Sequence, residues 1–206
     1  YTSLVVTANN TPHIAYHDVS NRDLKHAFKS GATWIVSTRE STGDQGRFAA
    51  LALDQTGSLH VAWRDETTND LRYMSNVGGA WNASVVAEGL ASTNDYGSYA
   101  SIAVDGQGVV SIAHRDATAD DLRVVTNRTG AFVGQPVDAN TNVGTYASMC
   151  VDGTGNQAVA YRNESTTDLK LAYGDTTGLW QTFFVEQGGD ALGTHASLAQ
   201  APDGAF

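Results

Sequence analysis

The chain is built from one sequence unit that occurs four times and begins a fifth time. Each copy opens with two small residues followed by an apolar one. The spacings between the apolar anchors are 47, 51, 47 and 49 residues, and the anchors are Leu4, Leu51, Ile102, Met149 and Leu198. A period of this size predicts a repeat architecture, in which each unit buries its apolar face against the next.

The third copy shows what one unit contains. Short apolar or alternating runs cover residues 99–104, 109–115, 122–126 and 132–137, and Gly, Asn and Asp separate them. Runs of this length between turn residues are typical of β-strands joined by hairpins. No stretch has the apolar stripe of an amphipathic helix. We therefore predict an all-β fold, a β-propeller of four-stranded blades about 48 residues long, with four full blades and the start of a fifth.

The repeat also predicts the boundaries. We expect one repeat domain over residues 1–206, with blades at approximately 1–47, 48–98, 99–145 and 146–194 and a partial fifth blade at 195–206. Small residues such as Ala49 and Ala100 in the first strands suit an axis where blades converge. We expect the chain to be part of a larger ring, or to complete one with other copies of itself, because an open end exposes an apolar blade face.

The running pattern is Y-x-S-[LI]-x-[LV]-D-x-x-G-x-x-H-[IV]-A-[YW]-x-D-x(4)-D-L-[KR]-[YH]-A. Over its whole length the chain resembles the propeller repeats of bacterial secreted or surface proteins, loosely grouped with sialidase-like (BNR-like) repeats. This resemblance implies the fold, whereas such repeats serve binding modules, scaffolds and polysaccharide-active enzymes alike. The S-x-D-x-G-x-x-W box of true sialidases is absent, since His60 and Ser111 stand where that box has Trp. No one-off set resembling their catalytic Tyr, Glu and Asp stands out.

Composition excludes several classes of partner. The net charge is −10, with 22 acidic and 12 basic residues, and no basic stripe exists for a nucleic acid or an anionic membrane surface. The sequence has no transmembrane run. Cys150 is the only cysteine, so an intramolecular disulfide and a cysteine-based zinc cluster are excluded. Few lysines and many Thr, Asn, Gly and Asp suit a bacterial extracellular, cell-surface or periplasmic protein.

Basic residues end the predicted second strands: His17, Arg64, Arg115 and Arg162. One interpretation is a ring of cations that binds carboxylates or sulfates of a polysaccharide. The other is a repeated ion pair with the residue that opens the third strand, at Asp23, Asp70, Asp121 and Asp168. Because each basic residue has a matching Asp in its own copy, we expect the structural ion pairs.

Bulky rings open the predicted first strands: Tyr1, Phe48, Tyr99, Tyr146 and His195. In a propeller the second-to-third and fourth-to-first connections emerge at one edge of each blade, here called the loop edge. Sugar rings stack on aromatic side chains, so these residues are candidates for glycan contact. The alternative is packing between blades, which their repetition favours. Phe48, Tyr99, Tyr146 and His195, together with the four basic residues, form the predicted ligand-binding set.

Catalytic and metal sites are not predicted. His13 and His60 share one repeat position, which is Ser111 and Ala158 in the other copies, and no oriented partner is evident. The acidic loops at 18–23 and 116–121 lack the alternating spacing of a calcium loop. We therefore expect no catalytic residue, no metal and no cofactor.

Nearly every polar or aromatic candidate recurs in each copy, which suits multivalent binding, whereas catalysis needs a unique set of residues. We predict a non-catalytic extracellular recognition or scaffold module, lectin-like, that binds a glycan or polysaccharide at the loop edge. The alternative is a fragment of a polysaccharide-active enzyme, a sialidase-like hydrolase or lyase, whose catalytic residues lie outside this chain.

Overall fold

The computed structural model describes residues 1–87, 94–140, 142–189 and 191–201. These residues form sixteen strands and no helix. Within these ranges, no helix is long and apolar enough to cross a membrane. The strands form four antiparallel sheets of four, and within each sheet they follow chain order. The predicted all-β fold of four-stranded blades is confirmed.

Each sheet is one blade, and turns rich in Gly, Asn and Asp separate its strands. Blade 1 contains β1 (Thr2–Val6), β2 (Pro12–Asp18), β3 (Asp23–Ser30) and β4 (Thr33–Glu40). Blade 2 contains β5 (Gln45–Leu53), β6 (Leu59–Asp65), β7 (Asp70–Ser75) and β8 (Asn82–Ala87). Blade 3 contains β9 (Ser98–Val104), β10 (Val110–Asp116), β11 (Asp121–Thr126) and β12 (Val133–Asp138). Blade 4 contains β13 (Val143–Val151), β14 (Gln157–Asn163), β15 (Asp168–Gly174) and β16 (Trp180–Glu186). In blade 3 every strand end lies within one residue of the predicted run.

Internal packing divides the chain into two units. The N-terminal unit, Tyr1–Gly97, contains blades 1 and 2. Its core lies between these blades, because each strand turns alternate side chains toward the neighbouring sheet. The buried residues of this core are Ala15, Leu24, Ala49, Leu51, Leu59, Val61, Trp63 and Met74.

The C-terminal unit, Ser98–Phe206, contains blades 3 and 4. Its core has the same form and lies between those two blades. The buried residues are Ala103, Ala113, Leu122, Val124, Val143, Met149, Val151, Val159, Tyr161 and Ala172. Two anchor residues of the repeat, Leu51 and Met149, therefore lie in interfaces between blades.

A serine hydroxyl links successive first strands within each unit. Ser3 Oγ accepts a hydrogen bond of 3.0 Å from the backbone N–H of Leu51. Ser101 Oγ accepts the equivalent bond, at 2.9 Å, from Met149. The small residues of the first strand therefore do more than avoid crowding, because the hydroxyl fixes the position of the next blade.

The same bond continues beyond blade 4. Ser148 Oγ accepts a hydrogen bond of 2.9 Å from the N–H of Leu198, so this part of the chain lies where the first strand of a further blade is expected. Residues 191–201 contain turns and no strand. The rest of the predicted fifth-blade strand, residues 202–206, lies outside the described residues.

Candidate functional site

The rings predicted at the start of the first strands occupy a repeated backbone kink. The register of the first strand shifts against the second strand at this point in blades 2, 3 and 4. Phe48, Tyr99 and Tyr146 each have a φ of 54°, and His195 has a φ of 57°. Bulky residues rarely adopt the left-handed region, and bulges are places where they do. The bulge therefore sets the direction of each ring.

A glycine two residues before each ring makes the kink possible. At Gly46 a Cβ atom would lie 2.9 Å from Leu24 Cα, and at Gly144 it would lie 3.0 Å from Leu122 Cα. Each glycine therefore lets the chain pass close to the backbone of the preceding blade. The Gly-x-ring motif occurs at Gly46, Gly97, Gly144 and Gly193, and it is a signal that the sequence reasoning missed.

The rings contact one another within each unit. In the N-terminal unit the centroids of Tyr1 and Phe48 are 4.2 Å apart. In the C-terminal unit Tyr146 contacts both Tyr99, at 4.9 Å, and His195, at 4.8 Å. Phe48 is buried, Tyr99 and Tyr146 are half-buried, and His195 is exposed. Mutual packing accounts for the repetition of these rings.

The four basic residues bind the connection that leads from their own blade to the next. His17 Nε2 lies 3.1 Å from Asp44, and Arg162 donates to the carbonyl oxygen of Leu192 at 2.9 Å. The other contacts to these connections are Arg64 to Asp95 and to the carbonyl oxygen of Tyr96, and Arg115 to Asn142. Their common role is to hold the fourth-to-first connection.

Their predicted ion pairs with Asp23, Asp70, Asp121 and Asp168 were wrong. Among the described residues, Arg64 forms its salt bridges with Glu66 and Asp95, Arg115 with Asp120 and Arg162 with Glu164. The strand register gives the reason. Arg64 lies opposite Leu71, whereas Asp70 lies opposite Asp65, and neighbouring positions point to opposite faces of a sheet. The same offset occurs in blades 1, 3 and 4.

A groove of about 620 Å³ opens in the N-terminal unit. It lies at the blade edge opposite the loop edge, where the first-to-second and third-to-fourth turns emerge. Its lining residues are Thr7, Ala8, Asn9, Thr11, His13, Phe28, Lys29, Ser30, Gly31, Thr56 and Gly57. These residues all belong to the described part of the chain, and they include one cation, Lys29, and no carboxylate.

Stacked rings form one wall of this groove. His13 Nδ1 lies 3.0 Å from His26 Nε2, and the rings of His13 and Phe28 stack at 5.6 Å. His26 also accepts from Arg39 at 3.1 Å, and Arg39 lies over Trp81 at 4.6 Å. Burial, with the positive charges of Arg39 and His13, lowers the pKa of His26 to about 4. His26 is therefore neutral near pH 7, and the stack holds the Phe28 ring in place.

Three further side chains in blade 2 form a hydrogen-bonded chain. His60 Nδ1 lies 2.7 Å from the hydroxyl of Tyr73, and His60 Nε2 lies 3.3 Å from a carboxylate oxygen of Asp54. His60 is buried and Tyr73 is half-buried. Burial lowers the pKa of His60, against the opposing effect of Asp54, and raises the pKa of Tyr73. Asp54 is the oriented partner of His60 that the sequence did not reveal.

The C-terminal unit has a smaller groove, of about 220 Å³, at the matching edge of blades 3 and 4. Its lining residues are Val124, Thr126, Arg128, Thr129, Val133, Gln135, Gln157, Asp175, Thr176, Thr177 and Gly178. Gln157 is only 4% exposed. Residues from two blades line each groove, so neither groove is visible in the sequence of a single repeat.

A buried acid–base cluster lies near the outer end of the C-terminal core. Asp138 Oδ2 accepts a hydrogen bond of 2.6 Å from Tyr161 and a second bond from Lys170. Asp138 and Lys170 are each 3% exposed. Burial alone would raise the pKa of Asp138, but the bonds from Lys170 and Tyr161 lower it below its usual value. This cluster is structural, since all its polar groups contact one another.

Within residues 1–87, 94–140, 142–189 and 191–201, no group of three or more His, Cys, Asp or Glu side chains is placed to hold a metal ion. Cys150 is half-buried, and burial raises the pKa of its thiol to about 11. Its thiol is therefore almost entirely protonated at neutral pH.

Comparison with known proteins supports the class of fold. No protein-family model and no curated protein sequence matches the chain. Among solved structures, it is similar to the SapL1 lectin in complex with alpha methyl fucoside, with a TM-score of 0.62, 14% identity and coverage of 88% of this chain and 62% of the lectin. It is also similar to the Hadza microbial sialidase Hz136, with a TM-score of 0.61, 13% identity and coverage of 90% and 46%.

A third similar structure is the PL25 ulvan lyase bound to -[GlcA(1-4)Rha3S]-, with a TM-score of 0.59, 14% identity and coverage of 91% of this chain and 54% of the lyase. The chain spans about half to two thirds of the length of these three proteins. At such identities the likeness concerns the fold alone. The chain therefore has a β-propeller type of fold, whose known examples include lectins and polysaccharide-active enzymes.

Proposed function

We propose that the chain is a non-catalytic glycan-binding module that uses the N-terminal groove as its main site. The observation that supports this most directly is the composition of the groove wall. Phe28 offers a fixed, half-buried ring, and Asn9, Thr11 and Thr56 offer hydrogen-bonding groups around it. Carbohydrates need this combination, because a sugar presents an apolar C–H face to a ring and hydroxyls to polar side chains.

The charge of the groove points to a class of glycan. Lys29 is exposed at the rim, in a chain whose net charge is −10. An ammonium group without a carboxylate in the same groove favours anionic sugars, such as uronates and sulfated residues. The groove volume also lies within the usual range of ligand pockets.

The comparisons support a carbohydrate ligand in general terms. One similar structure is a lectin holding a fucoside, and another is a lyase holding an oligosaccharide with a uronate and a sulfated sugar. An extracellular or periplasmic location, predicted from composition, fits this role. The loop-edge rings Phe48, Tyr99, Tyr146 and His195 remain a second proposed contact surface.

We further propose that blade 1 associates with another copy of the chain. The anchor Leu4 is 60% exposed, whereas the equivalent Leu51 is 6% exposed because blade 1 covers it. Val6, two residues along the same strand face, is exposed as well. An uncovered apolar face of this kind favours association. Light scattering over a concentration series measures it.

The glycan proposal is tested with an array of neutral, uronate-containing and sulfated glycans, followed by calorimetry on the glycans that bind. Phe28→Ala removes the stacking surface, and we expect at least a tenfold loss of affinity, or about 1.4 kcal/mol. Lys29→Gln should weaken binding of anionic glycans in a salt-dependent way and leave neutral glycans unaffected.

Phe183→Ala is the matched control, because Phe183 is an exposed phenylalanine of the C-terminal unit outside either groove. We expect it to bind like the parent protein. Circular dichroism confirms that each variant is folded at the assay temperature. Unchanged binding by Phe28→Ala and Lys29→Gln would contradict the assignment of the groove.

A polysaccharide-active enzyme is the second candidate function. The hydrogen-bonded series of Asp54, His60 and Tyr73 favours it. A tyrosine hydroxyl hydrogen-bonded to a histidine that a carboxylate orients is a known form of general acid–base catalyst. Incubation with polyuronates and sialosides, with detection of unsaturated uronate or new reducing ends, tests this activity. Turnover that disappears in Tyr73→Phe would favour the enzyme over the binding module.

A further inference from the structure

Gln157 occupies a repeat position that is apolar in the other blades. It opens the second strand of blade 4, opposite Val151. The equivalent residues are Pro12, Leu59 and Val110. Leu59 and Val110 are almost fully buried, so an apolar side chain satisfies the packing at this position. A glutamine there is a departure from the repeat that the fold does not need.

The amide of Gln157 is buried without full hydrogen bonding. Its Oε1 atom has no hydrogen-bond partner among the described residues, and the residue is more than nine-tenths buried. A buried carbonyl oxygen that lacks a donor destabilises a protein, and such groups in native structures need a specific explanation. Gln157 lines the C-terminal groove. Its Oε1 atom is covered by protein atoms, so rotation of the side chain is needed to bring it to a ligand that supplies the missing donor.

The two charged side chains of this groove, Arg128 and Asp175, both have hydrogen-bond partners within the protein. Arg128 Nη2 lies 3.3 Å from Asp105 and donates to the carbonyl oxygen of Gly155 at 2.9 Å. Asp175, at the rim, accepts from the backbone N–H and the hydroxyl of Thr177 at 2.8 and 2.6 Å. The rim carboxylate repels anions, so the groove favours an uncharged ligand.

The remaining walls suit the body of a sugar. Val133 is exposed beside the groove and Val124 is buried beneath it. Gln135 Nε2 donates to the carbonyl oxygen of Gly178 at 3.2 Å and so bridges the two blades. A ligand here meets an apolar wall on one side and a hydrogen-bond acceptor at the base.

We infer that the C-terminal groove is a second glycan subsite, for an uncharged sugar residue whose hydroxyl donates to Oε1 of Gln157. This inference rests on the proposed glycan-binding function and extends it, because the N-terminal groove favours anionic sugars. A site built around one buried acceptor discriminates strongly against an analogue that lacks the matching hydroxyl. The N-terminal groove then selects anionic sugar residues, and the C-terminal groove selects neutral ones.

The test uses methyl α-fucoside, methyl α-galactoside and methyl α-glucoside, with their monodeoxy analogues, and methyl glucuronide as the anionic comparator. Binding to the full chain is followed by NMR through the side-chain amide of Gln157 and the backbone amides of Phe28 and Lys29. We expect a neutral glycoside to shift the Gln157 signal. One of its deoxy analogues should bind at least tenfold more weakly.

Gln157→Leu installs the residue that blade 2 has at this position. We expect it to melt at the same temperature as the parent or higher, since it removes an unsatisfied buried group, and to lose neutral-glycoside binding at least tenfold. Gln181→Leu, an exposed glutamine outside the groove, is the matched control and should change neither property.

The outcomes separate the two proposals. If glycosides shift only the Phe28 and Lys29 signals, the inference is wrong and the proposed function stands. If Gln157→Leu binds neutral glycosides like the parent, or melts at a lower temperature, the inference is also wrong. If no member of the panel binds and the glycan array is blank, both proposals are wrong.

Discussion

The two units place different chemistry at the same repeat position. In the N-terminal unit, the buried Trp63 donates from Nε1 to the neutral Gln45 at 2.8 Å. In the C-terminal unit, the equivalent Tyr161 donates to Asp138, and Lys170 neutralises that carboxylate. Blades 2 and 4 both bury a large ring at this position, and a buried ring with a polar atom needs a hydrogen-bond partner. The charge of this partner therefore determines how much the stability of the fold depends on the hydrogen bond to the ring.

The largest expected effect concerns the charged partner. Asp138→Asn leaves Lys170 buried without its counter-ion, and we expect unfolding to become easier by about 3–5 kcal/mol. The matched change in the N-terminal unit, Gln45→Met, removes the neutral acceptor of Trp63 and the amide that donates to the carbonyl oxygen of Thr42, and it should lower stability by about 1–3 kcal/mol. Urea denaturation of both variants measures the difference.

Two further measurements test this difference between the units. The double variant Asp138→Asn with Lys170→Met should recover most of the loss, because no buried charge then lacks a partner. The lowered pKa of Asp138 means that its contribution is present above about pH 4 and is lost as the pH falls through the folded-state pKa. Equal losses from Asp138→Asn and Gln45→Met would contradict the proposed difference between the units.

A smaller effect is expected from the arginines that hold the connections. Arg64 is 5% exposed and binds Glu66, Asn69, Asp95 and the carbonyl oxygen of Tyr96. Arg115 is more accessible, and its partner Asp120 is partly exposed. We expect Arg64→Ala to lower stability by about 3 kcal/mol and Arg115→Ala by about 1 kcal/mol.

Thermal melts of these two variants, alongside Arg64→Lys, provide the check. The lysine keeps the charge but lacks the planar fork that reaches several partners, so it should recover only part of the stability. A parent-like melting temperature for Arg64→Ala would mean that the connection is held by other contacts. Glycan binding that fell in Arg115→Ala without a change in stability would favour the ligand-facing interpretation.

An effect on the order of 2 kcal/mol for each residue is expected from the protonation of two buried histidines. Burial lowers the pKa of His114 in the C-terminal unit to about 4, like that of His26 in the N-terminal unit. Between about pH 4 and 6.5 the unfolded chain binds more protons than the folded chain, so stability falls as the pH is lowered through this range.

Each histidine has a replacement taken from the equivalent position in blade 4: His26→Leu and His114→Tyr. Each should remove part of the pH dependence in urea denaturation curves recorded from pH 4 to 7. Arg39→Leu should raise the pKa of His26 and leave that of His114 unchanged, because the charge of Arg39 contributes only to the first. A pH dependence that both single variants keep in full would contradict this account.

The fold could be predicted from the sequence because the same pattern of strands and turns occurs in each of the four repeats. Turn residues recur between short apolar runs, and the strand ends of blade 3 were predicted to within one residue. The location of the loop-edge rings also followed from the repeat. Their direction did not, because it depends on a bulge and on glycines such as Gly46 that approach another blade.

The ionic partners of the arginines required the register of the sheet. Arg64 and Asp70 are close in sequence, but adjacent positions on paired strands face opposite sides. The grooves could not be predicted from the sequence of one repeat either, because residues of two blades line each of them. Gln157 was accessible to sequence reasoning, because comparing position by position gives Pro12, Leu59, Val110 and then a glutamine.

The serine hydroxyls determine how such a chain can assemble. Ser101 and Ser148 each accept one backbone N–H from the start of the next repeat, at Met149 and Leu198. A completed blade therefore aligns the strand that follows it before the rest of the new blade has formed. Since synthesis proceeds from the N-terminus, a blade that carries this serine can align the repeat that follows it, whereas blade 2 has Ala50 at the same position. A duplication that adds one repeat with its serine supplies both a new blade and the means of aligning the next one.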